Sequence, residues 1–231
     1  MIEQYAININ KIEKADKLSN IIHILSKEKA DRIKRFHFEK DKVRAIVGEA
    51  LVRYLLIKNY NISNSDIRFG YRDKGKPYFI SPDDKIDFNI SHAGSWVVCA
   101  VGDSKIGIDV ELIQEKEIEF VKYVFTAQEY NYWLTLPKEE QRNYFYQLWT
   151  MKESYSKYLG IGLGLQFNKV SFESLCNGYY TIYNDKNCVL YSQQFDRDYY
   201  LSVCVDKDKK EGIDSQVKCI DICDLYKILL E

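Results

Sequence analysis

The sequence of 231 residues predicts an α+β protein built from two similar halves, with a functional site at the seam between them. The length exceeds the roughly 100–200 residues of an ordinary single domain. Patterns typical of two helices followed by several strands also occur twice, and short sequence matches link the two copies. We place the first half at residues 1–104 and the second at residues 105–231. Because ligand pockets favour domain interfaces, we expect the site where the halves meet.

The first half is predicted to begin with a strand and to continue with two helices. Residues 5–9 alternate in polarity, which is typical of an edge strand. Ser26 has the side chain of a helix N-cap for a segment that runs through Phe36. Apolar residues at three- and four-residue spacing then predict a longer helix over about residues 40–59. Short strand-like runs follow at residues 67–69, 77–80, 86–90, 96–101 and 106–111.

The second half repeats this order of elements. We predict a helix from Thr126, a long helix over about residues 138–158, and strands near Val170, Tyr180, Val189 and Leu201. The tripeptide at residues 24–26 aligns with the one at residues 124–126. An insertion of four residues aligns three further pairs at a separation of 104 residues: Glu49 with Glu153, Arg53 with Lys157, and Val101 with Val205. The identity is low, so the inference depends on the recurring order of elements.

The composition argues against several classes of protein. Hydrophobic residues make up 46% of the chain and charged residues 29%, which is too apolar for a disordered protein. The net charge of −1 predicts neither a nucleic-acid partner nor a basic membrane-binding surface. No apolar run reaches the ~20 residues that span a bilayer, and the start lacks the layout of a signal peptide. The six cysteines include no C-x-x-C pair, which indicates reduced thiols and a cytoplasmic protein.

Three acidic residues are the candidates for a metal site. The predicted strand that opens the second half places Gly107, Asp109 and Glu111 on one face. Glu153 lies on the second long helix, four residues before Lys157. Carboxylate oxygens are the ligands that Mg²⁺ prefers, and a lysine nearby suits a phosphate. A solvated strand face and an ordinary helical ion pair remain the alternatives, because spacing alone does not bring these residues together.

Basic and hydroxyl side chains provide candidates for a phosphate site. Ser91 and His92 follow a predicted strand, in a loop that offers a hydroxyl, an imidazole and backbone N–H groups to an anion. Lys29 and Arg32 share one helix face within a basic region whose charges are otherwise interleaved, as on a solvated surface. Glu129 stands three residues after Thr126, so a capping box explains it without a catalytic role. These features indicate Mg²⁺-dependent handling of a phosphate compound.

Four motifs, taken together, identify a family. In chain order they are Gly75-Lys76-Pro77, Asn89-Ile90-Ser91-His92, Ile106-Gly107-Ile108-Asp109-Val110-Glu111 and Trp149-x-x-Lys152-Glu153-Ser154-x-x-Lys157. With Lys29-x-x-Arg32 and Arg44, the chain resembles a 4′-phosphopantetheinyl transferase of the Sfp type over nearly its whole length. The resemblance implies a monomer of two α/β halves, related by pseudo-twofold symmetry, with the active site between them.

The resemblance also implies an activity and a role for each motif residue. The enzyme moves the 4′-phosphopantetheine arm of coenzyme A to a serine of an acyl or peptidyl carrier protein and releases adenosine 3′,5′-bisphosphate. The implied Mg²⁺ ligands are Asp109, Glu111 and Glu153. The implied neighbours of the coenzyme A 3′-phosphate are Lys29, Arg32, Arg44 and His92. The implied lining of the adenine and pyrophosphate sites is Lys76, Pro77, Ser91 and Lys157.

The chemistry of the transfer assigns catalytic roles within that set. Lys157 stabilises charge that develops on the phosphoryl oxygens. A base must take the proton of the carrier serine, for which Glu153 is the first candidate and Glu129 the second. The apolar loop at residues 160–165, with the region just beyond it, is a candidate contact for the carrier, and an ordinary loop that ends a helix is the alternative.

Two other classes of function remain as alternatives. A Mg²⁺-dependent nuclease also uses acidic residues and a lysine, but it needs a longer basic track than a chain of net charge −1 supplies. A non-enzymatic module that binds coenzyme A or a carrier would keep Lys29, Arg32 and His92 but would tolerate the loss of an acid, whereas all three acids are present.

Overall fold

The computed structural model describes residues 1–12, 15–81, 85–115 and 120–230, which form a mixed α and β structure. The strands are β1 (Ile2–Asn8), β2 (Phe69–Tyr71), β3 (Pro77–Phe79), β4 (Asp87–Ala93), β5 (Trp96–Gly102), β6 (Ile106–Leu112), β7 (Phe172–Cys176), β8 (Tyr179–Ile182), β9 (Asp185–Phe195), β10 (Tyr199–Asp206) and β11 (Ile213–Cys219). The α-helices are α1 (Ala15–Ile22), α2 (Lys27–Lys34), α3 (Glu39–Tyr60), α4 (Val121–Val124), α5 (Ala127–Thr135), α6 (Lys138–Leu159) and α7 (Ile222–Leu230).

The strands form two larger sheets and one hairpin, and the larger sheets follow related plans. The first sheet has the order β11-β1-β5-β4, the second has the order β6-β10-β9-β8-β7, and β2 pairs with β3. Strand β1 runs antiparallel to β5, with Ile2 opposite Gly102. Strand β6 runs antiparallel to β10 in the same way, with Ile106 opposite Val205. Each half also has one long helix of 22 residues, α3 or α6. The prediction of two similar α+β halves is therefore confirmed.

The end of the chain differs from the prediction. Strand β11 pairs in parallel with β1 in the first sheet, and Leu225 and Leu229 of α7 lie in the core of the first half. Residues 213–230 therefore belong to the first half, and extending the second half to residue 231 was wrong for this segment. Strand β1 is likewise an interior strand and not an edge strand, because β11 covers its outer side.

The two long helices have the same length. Helix α3 begins at Glu39 and helix α6 at Lys138, and both have 22 residues. The alignment of Glu49 and Arg53 with Glu153 and Lys157 stays a prediction.

Three apolar cores hold the structure together. One lies between the first sheet and helices α1, α3 and α7, and a second lies between the second sheet and α6. The third joins the sheets, with Ile2, Val98 and Ala100 from the first sheet packed among residues of the second such as Ile106 and Val203. Full burial of each Val or Ile side chain contributes about 1.5–3 kcal/mol. The halves are thus fixed face to face by a dry apolar layer.

The neighbouring strands β4 and β6 are joined by side chains and not by a backbone ladder. The Ile106 N–H donates to Asp87 Oδ2 at 3.0 Å, and the Ile108 N–H donates to Asn89 Oδ1 at 2.9 Å. On the same two residues of β6, Lys76 Nζ donates to the Ile106 carbonyl at 2.6 Å, and Lys157 Nζ donates to the Ile108 carbonyl at 3.1 Å. Strands joined by a backbone ladder lie about 4.8 Å apart. Bridging by side chains keeps room between the two halves at this edge.

Asn89→Ala is expected to lower the free energy of unfolding by about 1–3 kcal/mol, because it leaves the buried Ile108 N–H without an acceptor. Urea unfolding followed by circular dichroism measures this change. Asn168 is exposed and serves as a control, since Asn168→Ala should change stability by less than about 0.5 kcal/mol. Equal midpoints for wild type and Asn89→Ala would show that the side-chain bridge does not stabilise the seam.

Candidate active site

Gly107 brings the acidic strand and the long helix α6 into direct contact. A Cβ atom at this position would lie 1.9 Å from the Ser154 carbonyl oxygen and 2.4 Å from the Tyr158 backbone nitrogen. Any larger residue would therefore push α6 away from β6. The close approach places Glu153 and Lys157 of α6 beside the face of β6 that carries Asp109. The structure thus brings together residues that the sequence separates by more than 40 positions.

Asp109 is the centre of a network that crosses the seam. It is 4% exposed, and its Oδ1 accepts hydrogen bonds from Ser91 Oγ at 2.8 Å and from Lys157 Nζ at 2.7 Å. Lys157 Nζ also donates to Ser91 Oγ at 2.8 Å. The other carboxylate oxygen, Oδ2, is buried and has no hydrogen-bond partner among the described residues. One residue of the first half and two of the second therefore share one polar cluster, with an acceptor atom left over.

Glu111 and Glu153 extend this cluster. Burial, followed by the Asp109 charge, raises the pKa of Glu111 to about 7, although Trp149 Nε1 donates to Glu111 Oε1 at 3.1 Å and acts against the shift. Burial and the Asp109 charge also raise the pKa of Glu153, and Lys157 opposes this effect. Each glutamate is therefore affected by the same aspartate, which means that the three carboxylates lie near one another with too little positive charge around them.

The residue types of this cluster fit a hard divalent cation. Three carboxylates share one lysine, and a buried aspartate oxygen lacks a partner within the described part of the chain. Mg²⁺ binds oxygen ligands and uses few carboxylates. Within residues 1–12, 15–81, 85–115 and 120–230, however, no three His, Cys, Asp or Glu side chains are already arranged as a metal site. The assignment of Asp109, Glu111 and Glu153 as metal ligands therefore stays a prediction. The raised pKa values of both glutamates support it, but the three side chains are not yet arranged around one point.

The raised pKa of Glu111 predicts a pH effect on stability in metal-free protein. Between the ordinary pKa of about 4.5 and the raised value of about 7, the folded state binds more protons than the unfolded state at this site, so stability falls as pH rises. Glu111→Gln should therefore increase the melting temperature in EDTA, and the increase should be larger at pH 8 than at pH 5. Scanning calorimetry at both values measures it, and an increase independent of pH would contradict the assignment.

The predicted phosphate-binding residues of the first half form two groups. Lys29 lines a small pocket with Glu49, Tyr71 and Pro77. Burial lowers the pKa of Lys29, Glu49 acts against this shift, and the nearby Arg32 lowers the pKa further. The structure therefore brings Lys29, Arg32 and Pro77 to one corner of the first half, where two cations stand beside an apolar slot.

The second group is next to the acidic cluster. Arg44 donates to Asp41 Oδ1 at 2.9 Å and to the Gly94 carbonyl at 2.6 Å, which fixes the turn after β4. Partial removal from water lowers the pKa of His92 below its ordinary value, and the charges of Arg44 and Lys157 lower it further. His92 is therefore neutral at pH 7, and an anionic ligand at this position would favour its protonation.

Lys76 has a different environment from the one implied by the resemblance. Its ammonium donates to the Ile106 carbonyl and approaches Asp87 Oδ2 at 3.3 Å. Burial lowers its pKa, and the Asp87 carboxylate opposes the shift. The present role of Lys76 is therefore to join the two halves, and its contact with coenzyme A remains a prediction.

Glu129 does not join the acidic cluster. Its side chain accepts from the Thr126 backbone N–H at 2.8 Å, as the predicted capping box requires. The same oxygen accepts from Lys152 Nζ at 2.6 Å, and Lys152 is fully buried. The carboxylate therefore neutralises a buried ammonium in the second half and caps helix α5. This role contradicts the choice of Glu129 as the second candidate for the catalytic base.

Three residues have structural roles around the site that the sequence analysis did not predict. Trp149 donates to Glu111, Asn89 accepts from the Ile108 N–H, and Lys152 holds Glu129. Trp149 could have been found, because it lies four residues before Glu153 on one helix face. Asn89 and Lys152 act on partners far away in the sequence, and their local patterns do not distinguish them from solvated polar residues.

Comparisons with known proteins agree with the two-half organisation. Residues 105–204 match the 4′-phosphopantetheinyl transferase superfamily, and residues 13–104 match the N-terminal region of 4′-phosphopantetheinyl transferase. The 4′-phosphopantetheinyl transferase Sfp of Bacillus subtilis is 34% identical over 203 residues, which cover 87% of this chain and 90% of that protein. The 4′-phosphopantetheinyl transferase psf-1 of Bacillus pumilus is 33% identical over 79% of each chain.

One solved structure of a related enzyme resembles part of this chain. The crystal structure of Thermotoga maritima holo-[acyl-carrier-protein] synthase covers 45% of this chain and 62% of its own, at 22% identity and a TM-score of 0.37, which is too distant to support an argument. Among the described residues, no helix combines the length and the apolar character needed to cross a membrane. On the matches that extend over most of its length, the chain belongs to the 4′-phosphopantetheinyl transferase superfamily.

Proposed function

We propose that this enzyme transfers the 4′-phosphopantetheine arm of coenzyme A to a serine of an apo acyl or peptidyl carrier protein and releases adenosine 3′,5′-bisphosphate, with Mg²⁺ as cofactor. Membership of the family makes the chain a phosphopantetheinyl transferase that uses coenzyme A. The observation that carries the metal and site assignments is the network of Asp109, Ser91 and Lys157 across the seam, with Glu111 and Glu153 beside it.

Each residue of this network has a role in the proposed reaction. Asp109, Glu111 and Glu153 would hold Mg²⁺, which supplies positive charge to the pyrophosphate oxygens when bound. Lys157 donates to the phosphoryl oxygens as charge develops on them. Glu153 takes the proton of the carrier serine as the proposed base.

The cations of the first half bind the nucleotide end of coenzyme A in this proposal. The 3′-phosphate is bound by Lys29, Arg32, Arg44 and His92. The adenine and pyrophosphate are lined by Lys76, Pro77, Ser91 and Lys157. Support comes from the position of Lys29 beside Pro77 in one pocket, and from the influence of both Arg44 and Lys157 on His92.

An apolar groove in the second half is the proposed approach for the carrier. It is lined by residues that include Phe120, Tyr123, Trp149, Leu165 and Phe167. Phe120 and Tyr123 are 45% and 78% exposed and line the same groove, so they form an exposed apolar patch there. The groove includes Trp149, the residue that donates to Glu111, so its inner end lies next to the acidic cluster.

The groove also includes Leu165, at the end of the predicted carrier loop at residues 160–165. The Leu163 side chain, within that loop, lies outside the described part of the structure. A contact between this loop and the carrier therefore stays a prediction. The residues just beyond the loop line the groove and can be tested by substitution.

Tyr123→Glu is expected to raise the KM for the carrier about tenfold, because it places a charge in the apolar groove, and to leave the KM for coenzyme A unchanged, because no proposed nucleotide-binding residue lines this groove. Steady-state kinetics with each substrate varied in turn separates the two constants. Tyr183→Glu, at a 60% exposed tyrosine outside the groove, is the control. An unchanged carrier KM in Tyr123→Glu would exclude this groove as the carrier surface.

The proposal is tested by incubating apo carriers of fatty-acid, polyketide and peptide synthesis with the enzyme and coenzyme A, with and without EDTA. Mass spectrometry should show addition of the phosphopantetheine arm to at least one carrier, and loss of this addition in EDTA. Binding of coenzyme A without transfer to any carrier would favour a non-enzymatic binding module. Metal-dependent cleavage of DNA would favour a nuclease.

The remaining parts of the proposal concern the state of the protein. We propose that it acts as a monomer in the cytoplasm, with a transient carrier complex and no nucleic-acid partner. All six cysteines are free thiols, which agrees with a reducing compartment. Light scattering of the purified enzyme, alone and with an apo carrier, tests the oligomeric state.

A further inference from the structure

Every N–H donor of the Lys157 ammonium has an acceptor within the protein. An ammonium group has three N–H donors. Those of Lys157 are directed to Asp109 Oδ1 at 2.7 Å, Ser91 Oγ at 2.8 Å and the Ile108 carbonyl at 3.1 Å. The side chain is 26% exposed, so its charge lies within the cluster and not out in solvent. In this arrangement no donor of Lys157 is left for a phosphate.

The group that Lys157 neutralises is the proposed metal ligand Asp109. Asp109 is the most buried of the three acids, and Lys157 is the only cation that forms an ion pair with any of them in the described part of the chain. A divalent ion and an ammonium that share one carboxylate repel each other strongly, since the surrounding protein screens charge less well than water does. Lys157 therefore opposes metal binding for as long as it stays on Asp109.

We propose that Lys157 competes with the divalent metal for Asp109, and that the pyrophosphate of coenzyme A removes this competition by accepting the Lys157 ammonium. The inference rests on the proposed function, because it requires the metal at Asp109. Ser91 and the Ile108 carbonyl hold the ammonium in place between the two positions, so that the exchange needs a change of one acceptor and not a refolded loop.

The consequence is coupling between the two ligands. Coenzyme A strengthens metal binding by removing Lys157 from Asp109, and the metal strengthens binding of coenzyme A to the same extent, since such coupling is reciprocal. The enzyme then binds metal weakly without its nucleotide substrate. The complete constellation of carboxylates, metal and lysine forms only when coenzyme A is present.

The test measures Mn²⁺ binding by electron paramagnetic resonance in the absence of a carrier, so that no turnover occurs. Without nucleotide, Lys157→Met should bind Mn²⁺ about tenfold more tightly than wild type, within the usual range of coupling effects. Lys157→Arg keeps the charge and should stay near wild type. Lys186→Met is the control, because this exposed lysine forms its ion pair with Glu173 and not with Asp109, and its loss should leave Mn²⁺ affinity unchanged.

Addition of coenzyme A provides the second measurement. It should tighten Mn²⁺ binding more in wild type than in Lys157→Met, where the competition is already gone. Equal Mn²⁺ affinities of wild type and Lys157→Met without nucleotide would overturn the inference.

Asp109→Asn separates this failure from failure of the proposed function. If Asp109→Asn weakens Mn²⁺ binding while Lys157→Met does not strengthen it, the metal site stands and the competition is refuted. If Asp109→Asn has no effect, both the metal site and the competition are refuted. Circular dichroism and urea unfolding exclude misfolding of the variants as the cause.

Discussion

Glu153→Gln is expected to abolish transfer to the carrier while coenzyme A still binds. The substitution keeps the size of the side chain but removes both a basic oxygen and a negative charge from the acidic cluster. Loss of a positioned base costs about 10²–10⁴ in rate, and loss of a metal ligand adds to this. The nucleotide-binding cations of the first half are untouched, so coenzyme A still binds, and its affinity measured in EDTA should change little.

Rapid-quench measurement of transfer, together with calorimetric titration of coenzyme A, separates the two effects. Glu140→Gln is the control, because Glu140 is an exposed glutamate on the same helix, and its loss should leave turnover unchanged. Wild-type turnover in Glu153→Gln would refute the assignment of Glu153 as base and metal ligand. A loss of coenzyme A binding in EDTA would show instead that the variant disturbs the seam as a whole.

Local patterns were sufficient to predict most of the elements near the site. The long helix predicted at about residues 40–59 is Glu39–Tyr60, the one predicted at about residues 138–158 is Lys138–Leu159, and the acidic strand predicted at residues 106–111 is Ile106–Leu112. The spacing of apolar residues predicted both helices, although residues 46–56 of α3 are buried on every side, and alternation along the sequence predicted the strand.

Features that depend on contacts between distant residues could not be predicted. Strand β11 pairs with β1 at the opposite end of the sequence, and no local pattern states which sheet a strand joins. The convergence of Asp109 with Glu153 depends on the close approach that Gly107 permits between β6 and α6. The sequence showed a glycine beside the acids but not which helix would use the space. Only the family resemblance linked these acids before the structure did.

Each long helix contains a buried cation. Arg53 of α3 donates to Glu49 Oε1 at 3.1 Å on the same helix and to Asn64 Oδ1 at 2.9 Å in the segment that follows it. Lys152 of α6 is paired with Glu129 at the start of α5, and it also donates to the carbonyls of Val124 at 2.7 Å and Phe167 at 3.0 Å. Lys152 therefore connects α6 to segments on both sides of it in the sequence.

Lys152→Met is therefore expected to destabilise the protein by about 3–5 kcal/mol, because it leaves Glu129 as an uncompensated buried charge. Burial lowers the pKa of Lys152, and the Glu129 carboxylate opposes this shift. Urea unfolding measures the loss. The double variant Lys152→Met with Glu129→Gln should recover a large part of it, since glutamine is neutral and can still cap the Thr126 N–H.

The double variant also tests what the pair does for the active site. Lys152 precedes Glu153 on α6 and fixes this turn of the helix to the segment that contains Phe167, which lines the proposed carrier groove. A variant that regains stability but lacks these connections should transfer the arm slowly and show a raised KM for the carrier. Full recovery of both stability and transfer would mean that Lys152 serves only to balance the charge of Glu129. Recovery of stability alone would show that the buried ammonium positions the carrier groove relative to the catalytic carboxylate.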